Sequence, residues 1–327
     1  MKTSTFPPSK NKYMDTKQSF MAPELTQNGS HTILTNVYKE SKKKYINIDT
    51  RFQLDYSSSN EKGADVIYDI PQAITNVKSI KVTHIEIPAS FYNFSFQRNN
   101  TFFSIELLNT NNRVLININD GNYTLPELAT EIKSELDVAK YKDQEGNNVI
   151  GFPDISVNVD VINHKIELES SNRTYTLRFD VNSVGESDKK NMKSNLGWIL
   201  GFRNPSYELK PGESLVSEAF VDINHFHYLF IALDEYSNTN PNSFLAPSFK
   251  SYISPNVLAR ISLDSNLYSF GSIISASAGR GNLLSDTRQY KGKTNLQRFH
   301  LQVLDEWGNV VNLNQMDFSF VLEIECE

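Results

Sequence analysis

Val77-Lys78-Ser79-Ile80-Lys81-Val82-Thr83-His84-Ile85-Glu86-Ile87 alternates apolar and polar residues, and that alternation decides the fold class. Ile80, Val82, Ile85 and Ile87 fall on one face of an extended chain, with Lys81, Thr83 and Glu86 on the other. The alternation slips by one residue near His84, which predicts a β-bulge inside the strand. The same reading extends outward on both sides. Tyr45-Ile46-Asn47-Ile48 and Val66-Ile67-Tyr68-Asp69-Ile70 precede it; Phe102-Phe103-Ser104-Ile105-Glu106-Leu107 and Val114-Leu115-Ile116-Asn117-Ile118 follow around an Asn-rich turn. With 20 Phe and 15 Tyr against 14 Gly in 327 residues, the composition suits aromatic-packed strands better than a glycine-lined nucleotide site.

The period changes once. Thr124 followed by Leu125-Pro126-Glu127-Leu128 has the form of a helix start, with Pro early and Glu three residues after the cap. Leu125, Leu128, Ile132 and Leu136 recur at helical spacing, predicting a helix to about Asp137. Strands are expected again at Ile155–Val161, Lys165–Glu169 and Tyr175–Phe179, followed by the apolar segment Leu196-Gly197-Trp198-Ile199-Leu200-Gly201-Phe202. The final third predicts strands at Leu215–Asp222, Tyr228–Leu233, Val257–Leu263, Phe299–Leu304, Asn309–Leu313 and Phe318–Glu325, with a hairpin turn at Trp307-Gly308-Asn309. Residues 236–255 and 270–295 read as long loops.

Many short strands and one isolated helix predict a mainly all-β chain. The expected architecture is a jelly-roll β-sandwich built from 44–120 and 206–327, with a small α+β unit at 121–205 inserted. A tandem pair of small β domains is the alternative. Before this body, residues 1–43 contain Pro7, Pro8 and Pro23 and no sustained periodicity, and read as an extended basic N-terminal arm. Residues 1–44 hold eight lysines against Asp15, Glu24 and Glu40, a net +5 that leaves −11 on the remainder of a chain whose total is −6. Lys42, Lys43 and Lys44 close the arm and are its candidate interaction residues, on an acidic protein neighbour or on phosphate. No sequence-specific nucleic-acid motif accompanies them.

Residue patterns for chemistry are sparse. Ala278-Gly279-Arg280-Gly281-Asn282 lacks both the phosphate-loop ending and the dinucleotide spacing. His225-Phe226-His227 would place two imidazoles on one side of a strand, as a cupin-like metal site needs, but His300 is the one candidate for a third ligand. His225 and His227 are therefore weak metal candidates beside a surface or interface reading. No Gly-x-Ser-x-Gly occurs, and Cys326, the single cysteine, has no nucleophile motif around it and no partner for a disulfide. The expectation is no enzyme, no cofactor and no catalytic residue. No run of 18 apolar residues exists, so no transmembrane segment is expected either.

Several phrases, in this order, carry a resemblance: Lys44-Tyr45-Ile46-Asn47-Ile48-Asp49-Thr50-Arg51-Phe52, Val77 through Pro88, Asp120-Gly121-Asn122-Tyr123-Thr124, Leu196 through Arg203, Asn256-Val257-Leu258-Ala259-Arg260-Ile261, Arg288-Gln289-Tyr290-Lys291-Gly292 and Asn314-Gln315-Met316-Asp317-Phe318-Ser319-Phe320. Residues 44–325 resemble the minor capsid and penton-like virion proteins of nucleocytoplasmic large DNA viruses, the giant viruses. One departure is Lys291-Gly292-Lys293, where that family would have a Gly-Pro turn. The resemblance implies a non-enzymatic structural protein of an icosahedral capsid, made in the host cytoplasm and located in the virion. It implies contacts with other capsid proteins including the major coat protein, and a homo-pentamer if the chain is a penton. Trp198 and Phe202 are expected to anchor the inserted unit, with Gly197 and Gly201 allowing close packing. A carbohydrate-binding attachment sandwich exposing aromatics on 236–255, or a cupin-like metal enzyme, are the other readings.

Overall fold

The computed structural model describes residues 41–52, 63–107, 113–143, 146–189, 191–224, 226–236, 244–248, 251–264 and 268–327, and before them the backbone of four two-residue strands. Those four pair as Ser19–Phe20 with Thr35–Asn36 and Glu24–Leu25 with His31–Thr32. The remainder of the expected arm up to position 40 lies outside the described residues.

Strand β1 (Lys42–Asp49) is followed by β2 (Asp65–Pro88), β3 (Phe102–Leu107), β4 (Arg113–Asn117), helix α1 (Leu125–Val138), β5 (Ile155–Asp160), β6 (Lys165–Ser170), β7 (Tyr175–Arg178), the one-turn α2 (Leu196–Ile199), β8 (Ser206–Leu209) and β9 (Ser214–Val216). The chain continues through β10 (Tyr228–Asp234), β11 (Val257–Ser262), β12 (Ile273–Ser277), β13 (Leu283–Ser285), β14 (Arg288–Leu304) and β15 (Ser319–Cys326).

One antiparallel sheet of eight strands runs β13-β11-β10-β14-β2-β15-β1, with β12 also on β2. Its curl follows from the 24 residues of β2, which change partners along their length. Residues Asp65 to Ile80 pair with β14, while His84 to Pro88 pair on that same edge with β12. The other edge, Val77 to Glu86, carries β15, and β15 in turn carries β1. Thus β2 belongs to two layers, one with β14, β10, β11 and β13 and one with β12, β15 and β1. Between them Ile85, Ile87, Leu233, Ile261, Leu301, Phe320 and Ile324 belong to one buried apolar core. This is a jelly-roll type of sandwich, mainly β, closed by partner switching within a single long strand. The β2–β15 register shifts between Val82 and His84, so the bulge stands where the alternation slips. Pro71, which has no N–H to donate, sits in the gap in β2–β14 pairing between Asp69 and Ile74.

Inside this core Arg288 is fully buried. Its Nη1 donates to Glu235 at 2.6 Å and to the Leu233 carbonyl at 2.8 Å, and Tyr290 donates its hydroxyl to the same carboxylate at 2.9 Å. Burial and the adjacent carboxylate push the Tyr290 hydroxyl far above its usual range.

A second buried core spans Phe94 to Val221. It lies between a four-stranded sheet, β8-β7-β3-β4, a three-stranded sheet, β5-β6-β9, and α1, whose Leu128, Ile132 and Leu136 face inward. Glu127 closes the helix start by accepting from the Thr124 N–H at 2.8 Å and hydroxyl at 2.7 Å. The expected boundary at 120/121 falls inside this body. β3 pairs with β7 from Ser104 to Leu107 and with β4 on its other side, so β3 and β4, although they precede residue 120, join the inserted unit, which begins near Phe94.

Four local expectations also change. Lys42 and Lys43 are not arm but strand, because Cys326 and Glu325 extend the β15–β1 ladder to them. Residues 270–295 hold β12, β13 and the start of β14, short Ser-rich or Lys-rich strands that pairing stabilises and propensity does not announce. Of Leu215–Asp222 only Leu215 and Val216 are strand, at the end of β9. Asn309–Leu313 makes a single bridge, Val310 to Leu304, after the turn at Gly308, whose φ of 87° suits glycine. Among the described residues no helix is long and apolar enough to cross a membrane.

Candidate functional site

Three places could carry function. The first is the edge of the sandwich at β1. Among the described residues β1 pairs only with β15. Its core-facing positions run Lys42, Lys44, Ile46, Ile48, passing from exposed through half-buried to fully buried. On the outer face Lys43 meets Glu323 at 2.7 Å, and Tyr45, 62% exposed, donates its hydroxyl to the same carboxylate at 3.0 Å. The Lys43 hydrogen bond, helped by its charge and by Tyr45, holds the Glu323 carboxyl below its ordinary value. Lys42 and Lys44 have no carboxylate within ion-pair distance among the described residues. The three interaction lysines expected from sequence thus lie together on one edge strand, with Lys42 and Lys44 exposed on the same side as Ile46 and Ile48.

The second place is the junction of the two bodies. The chain leaves the first body through 89–94 and returns through 223–227, and the two crossings touch. Asn93 donates its side-chain amide to the Ile223 carbonyl at 2.9 Å, and Phe91 packs on Phe226 with ring centres 4.8 Å apart. Arg98 lays its guanidinium over Phe226 at 3.7 Å and approaches Asp305 at 3.8 Å. Burial lowers the Arg98 pKa to about 10, against the pull of Asp305 and Glu306, so it stays charged at neutral pH. Beside this clamp opens a cleft of about 280 Å³ lined by Phe91, Tyr123, Asn224, Phe226, Tyr268 and Phe270. Neither Arg98 nor Asp305 carried a sequence signal, because their meeting depends on two crossings far apart in the chain.

The third is the segment expected to anchor the inserted unit. Phe202 is fully buried and stacks on Phe179 at 4.7 Å. Gly197 is required there, since a Cβ would stand 2.2 Å from the Phe179 ring. Trp198 differs from the expectation. It is half-buried and turned outward under Arg203, whose guanidinium lies 4.2 Å above the indole while its Nη1 donates to the Trp198 carbonyl at 2.8 Å. One helical turn cannot bury all of its apolar side chains, and Leu196 and Ile199 take the inward side.

Of the two histidines, His225 lies outside the described residues. His227 is exposed, with Nε2 3.3 Å from Asp222. His300 sits elsewhere, on β14, against Asp65 at 2.6 Å. Among the described residues no group of three metal-type ligands converges.

The solved structures to which the arrangement is similar include two viral ones. One is the crystal structure of a mavirus penton protein, at 12% identity, covering 88% of this chain and all of that one, with a TM-score of 0.44. The other is the Sputnik virophage structure from cryo-electron microscopy, at 14% identity, covering 87% of this chain and 98% of that one, with a TM-score of 0.41. No family model matches the sequence, and no curated protein does.

Proposed function

We propose that this chain is a non-enzymatic structural component of an icosahedral virus capsid, of the minor capsid or penton type. It acts through contacts with other capsid proteins, the major coat protein among them. The observation that carries this reading is the edge strand β1: a lysine-bearing strand with one side unpaired among the described residues, entered directly from the basic N-terminal segment. An unpaired edge can take another chain as an added strand, and its lysines restrict which chain that is. The resemblance of residues 44–325 to giant-virus virion proteins supports the same reading. So does an apolar tip on the second body, where Ile162, 91% exposed, and Phe220, 63% exposed, flank the hydrogen bond from Val221 to the His164 carbonyl. The test is quantitative mass spectrometry of purified particles. A fixed ratio of this chain to the major coat protein is expected, in multiples of five per vertex if the chain is a penton. Loss of the chain on gradient purification of intact particles would overturn the reading.

Attachment through carbohydrate is a second reading, favoured by the exposed Tyr236 and Tyr252 around the 236–255 loop. Glycan-array binding by the full chain would support it.

A further inference from the structure

The edge of β1 that is unpaired among the described residues has a chemistry that selects its occupant. In an antiparallel ladder alternate residues direct both N–H and C=O to the same neighbour. The Thr50 N–H donates to the Phe318 carbonyl at 3.1 Å, so the even positions Lys42, Lys44, Ile46 and Ile48 point their backbone at β15. Lys43, Tyr45 and Asn47 therefore turn their N–H and C=O groups to the open side. Side chains divide differently. Lys42, Lys44, Ile46 and Ile48 line the core-facing side, and Lys43, Tyr45 and Asn47 the outer side.

We propose that this edge takes an extended acidic segment of a neighbouring capsid protein as an added strand. Beside Lys42 and Lys44 the added strand places carboxylates at alternate positions; beside Ile46 and Ile48 it places aliphatic side chains that cover the half-buried Ile46. Charge decides against the chain's own N-terminal segment as occupant. Residues 1–41 hold Lys2, Lys10, Lys12, Lys17 and Lys39 against Asp15, Glu24 and Glu40, so a second copy's arm brings net positive charge to a lysine-bearing edge. The outer face leaves Lys43 satisfied by Glu323, whereas Lys42 and Lys44 have no acidic partner among the described residues. An acidic strand supplies what that side lacks, and the lysines deter pairing of two identical edges.

The inference deepens the capsid assignment, on which it rests, by naming the chemistry of one contact. Its test uses a synthetic peptide, so it can fail while the chain is still found in particles. Full-length protein is titrated with a labelled peptide carrying Glu at the lysine-facing positions and Ile at the isoleucine-facing ones, and with the same peptide carrying Lys for Glu. The acidic peptide is expected to bind, more weakly as salt rises, and about tenfold more weakly to the Lys42→Glu/Lys44→Glu protein. Tyr45→Pro removes an N–H that faces the open side and leaves the β15 ladder intact, so it should abolish binding while its melting curve shifts no more than that of Tyr45→Ala, which loses the same hydroxyl contact to Glu323 but keeps the N–H and should still bind. Equal binding of the two peptides, or binding to Tyr45→Pro at the wild-type level, overturns the proposal. So does self-association of the full chain that Tyr45→Pro abolishes in the absence of peptide, which would assign the edge to a second copy.

Discussion

Phe202 and Trp198 stand four residues apart, read alike in sequence, and have different physical fates. Phe202 is enclosed by Phe179 and Tyr207, with ring centres 4.7 and 5.1 Å away. Phe202→Ala removes a buried aromatic and is expected to cost about 3–5 kcal/mol, a large part of the roughly 5–15 kcal/mol that holds a domain together. Trp198 loses mainly its contact with Arg203, worth about 0.5–1 kcal/mol at an exposed site, together with part of its apolar burial. Thermal unfolding of the two variants should therefore show a large loss for Phe202→Ala and a small one for Trp198→Ala. A larger loss at Trp198 would mean that the indole is buried in the folded protein. Sequence showed that this segment is apolar. It did not show which side chain of a single turn faces out, because that depends on Arg203 reaching back over the indole.

At the scale of elements, β15 shows what alternation reveals and what it hides. Phe320, Leu322, Ile324 and Cys326 are buried and Val321, Glu323 and Glu325 face outward, as a period of two requires. The α1 cap at Thr124 and the β2 bulge were legible for the same reason, since both are local. Which strand pairs with which is not local. Phe102–Leu107 has the same alternation whether it joins the first body or the second, and its pairing with Tyr175–Arg178 is what moved the boundary from 120 to the region of Phe94. Nor does periodicity distinguish an edge strand from a central one, so the place of Lys42–Lys44 on the last strand of the sheet order emerged only with the structure.

The outer face of β15 also carries a pH dependence. Hydrogen bonding to Lys43 lowers the Glu323 pKa, and hydrogen bonding from Ser41 and Ser79 lowers that of Glu325. A carboxylate with a lowered folded-state value stabilises fully above its ordinary value of 4.5, and that contribution is lost as pH falls through the lowered one. The β1–β15 pairing should therefore weaken in acid and hold near neutrality. The difference in Tm between wild type and Glu323→Gln/Glu325→Gln should be largest near neutral pH and close as the carboxylates protonate. Because both groups are half-buried on the outer surface and still screened by solvent, the effect is small and shrinks with salt. A difference that is constant from neutral pH into acid would show that the carboxylates do not contribute through their charge.

At the scale of the whole molecule, the two bodies have separate cores and meet through two adjacent crossings. The Asn93–Ile223 hydrogen bond of 2.9 Å sets the distance that the inserted unit spans. A unit that leaves and re-enters at neighbouring points asks little of the body that hosts it, since closing a short gap there costs little chain entropy. Replacing residues 95–222 by a short Gly-Ser linker should therefore leave the first body folded, with a cooperative unfolding transition and a β-type circular dichroism spectrum. The host does lose contacts. Arg98 no longer covers Phe226 or approaches Asp305, and the aromatic pair Phe91–Phe226 becomes more exposed, so a lower Tm than that of the full chain is expected. The junction cleft, which takes Tyr123 from the inserted unit and Tyr268 from the host, is destroyed. The open edge of β1 is not, because β1, β15 and β2 all belong to the first body. The shortened protein should then still bind the acidic peptide at its Lys42–Lys44 edge while failing to enter particles if the apolar tip at Ile162 and Phe220 makes a needed contact. A shortened chain that is insoluble or unfolds without cooperativity would show instead that the first core depends on the second, and that the two bodies form a single folding unit.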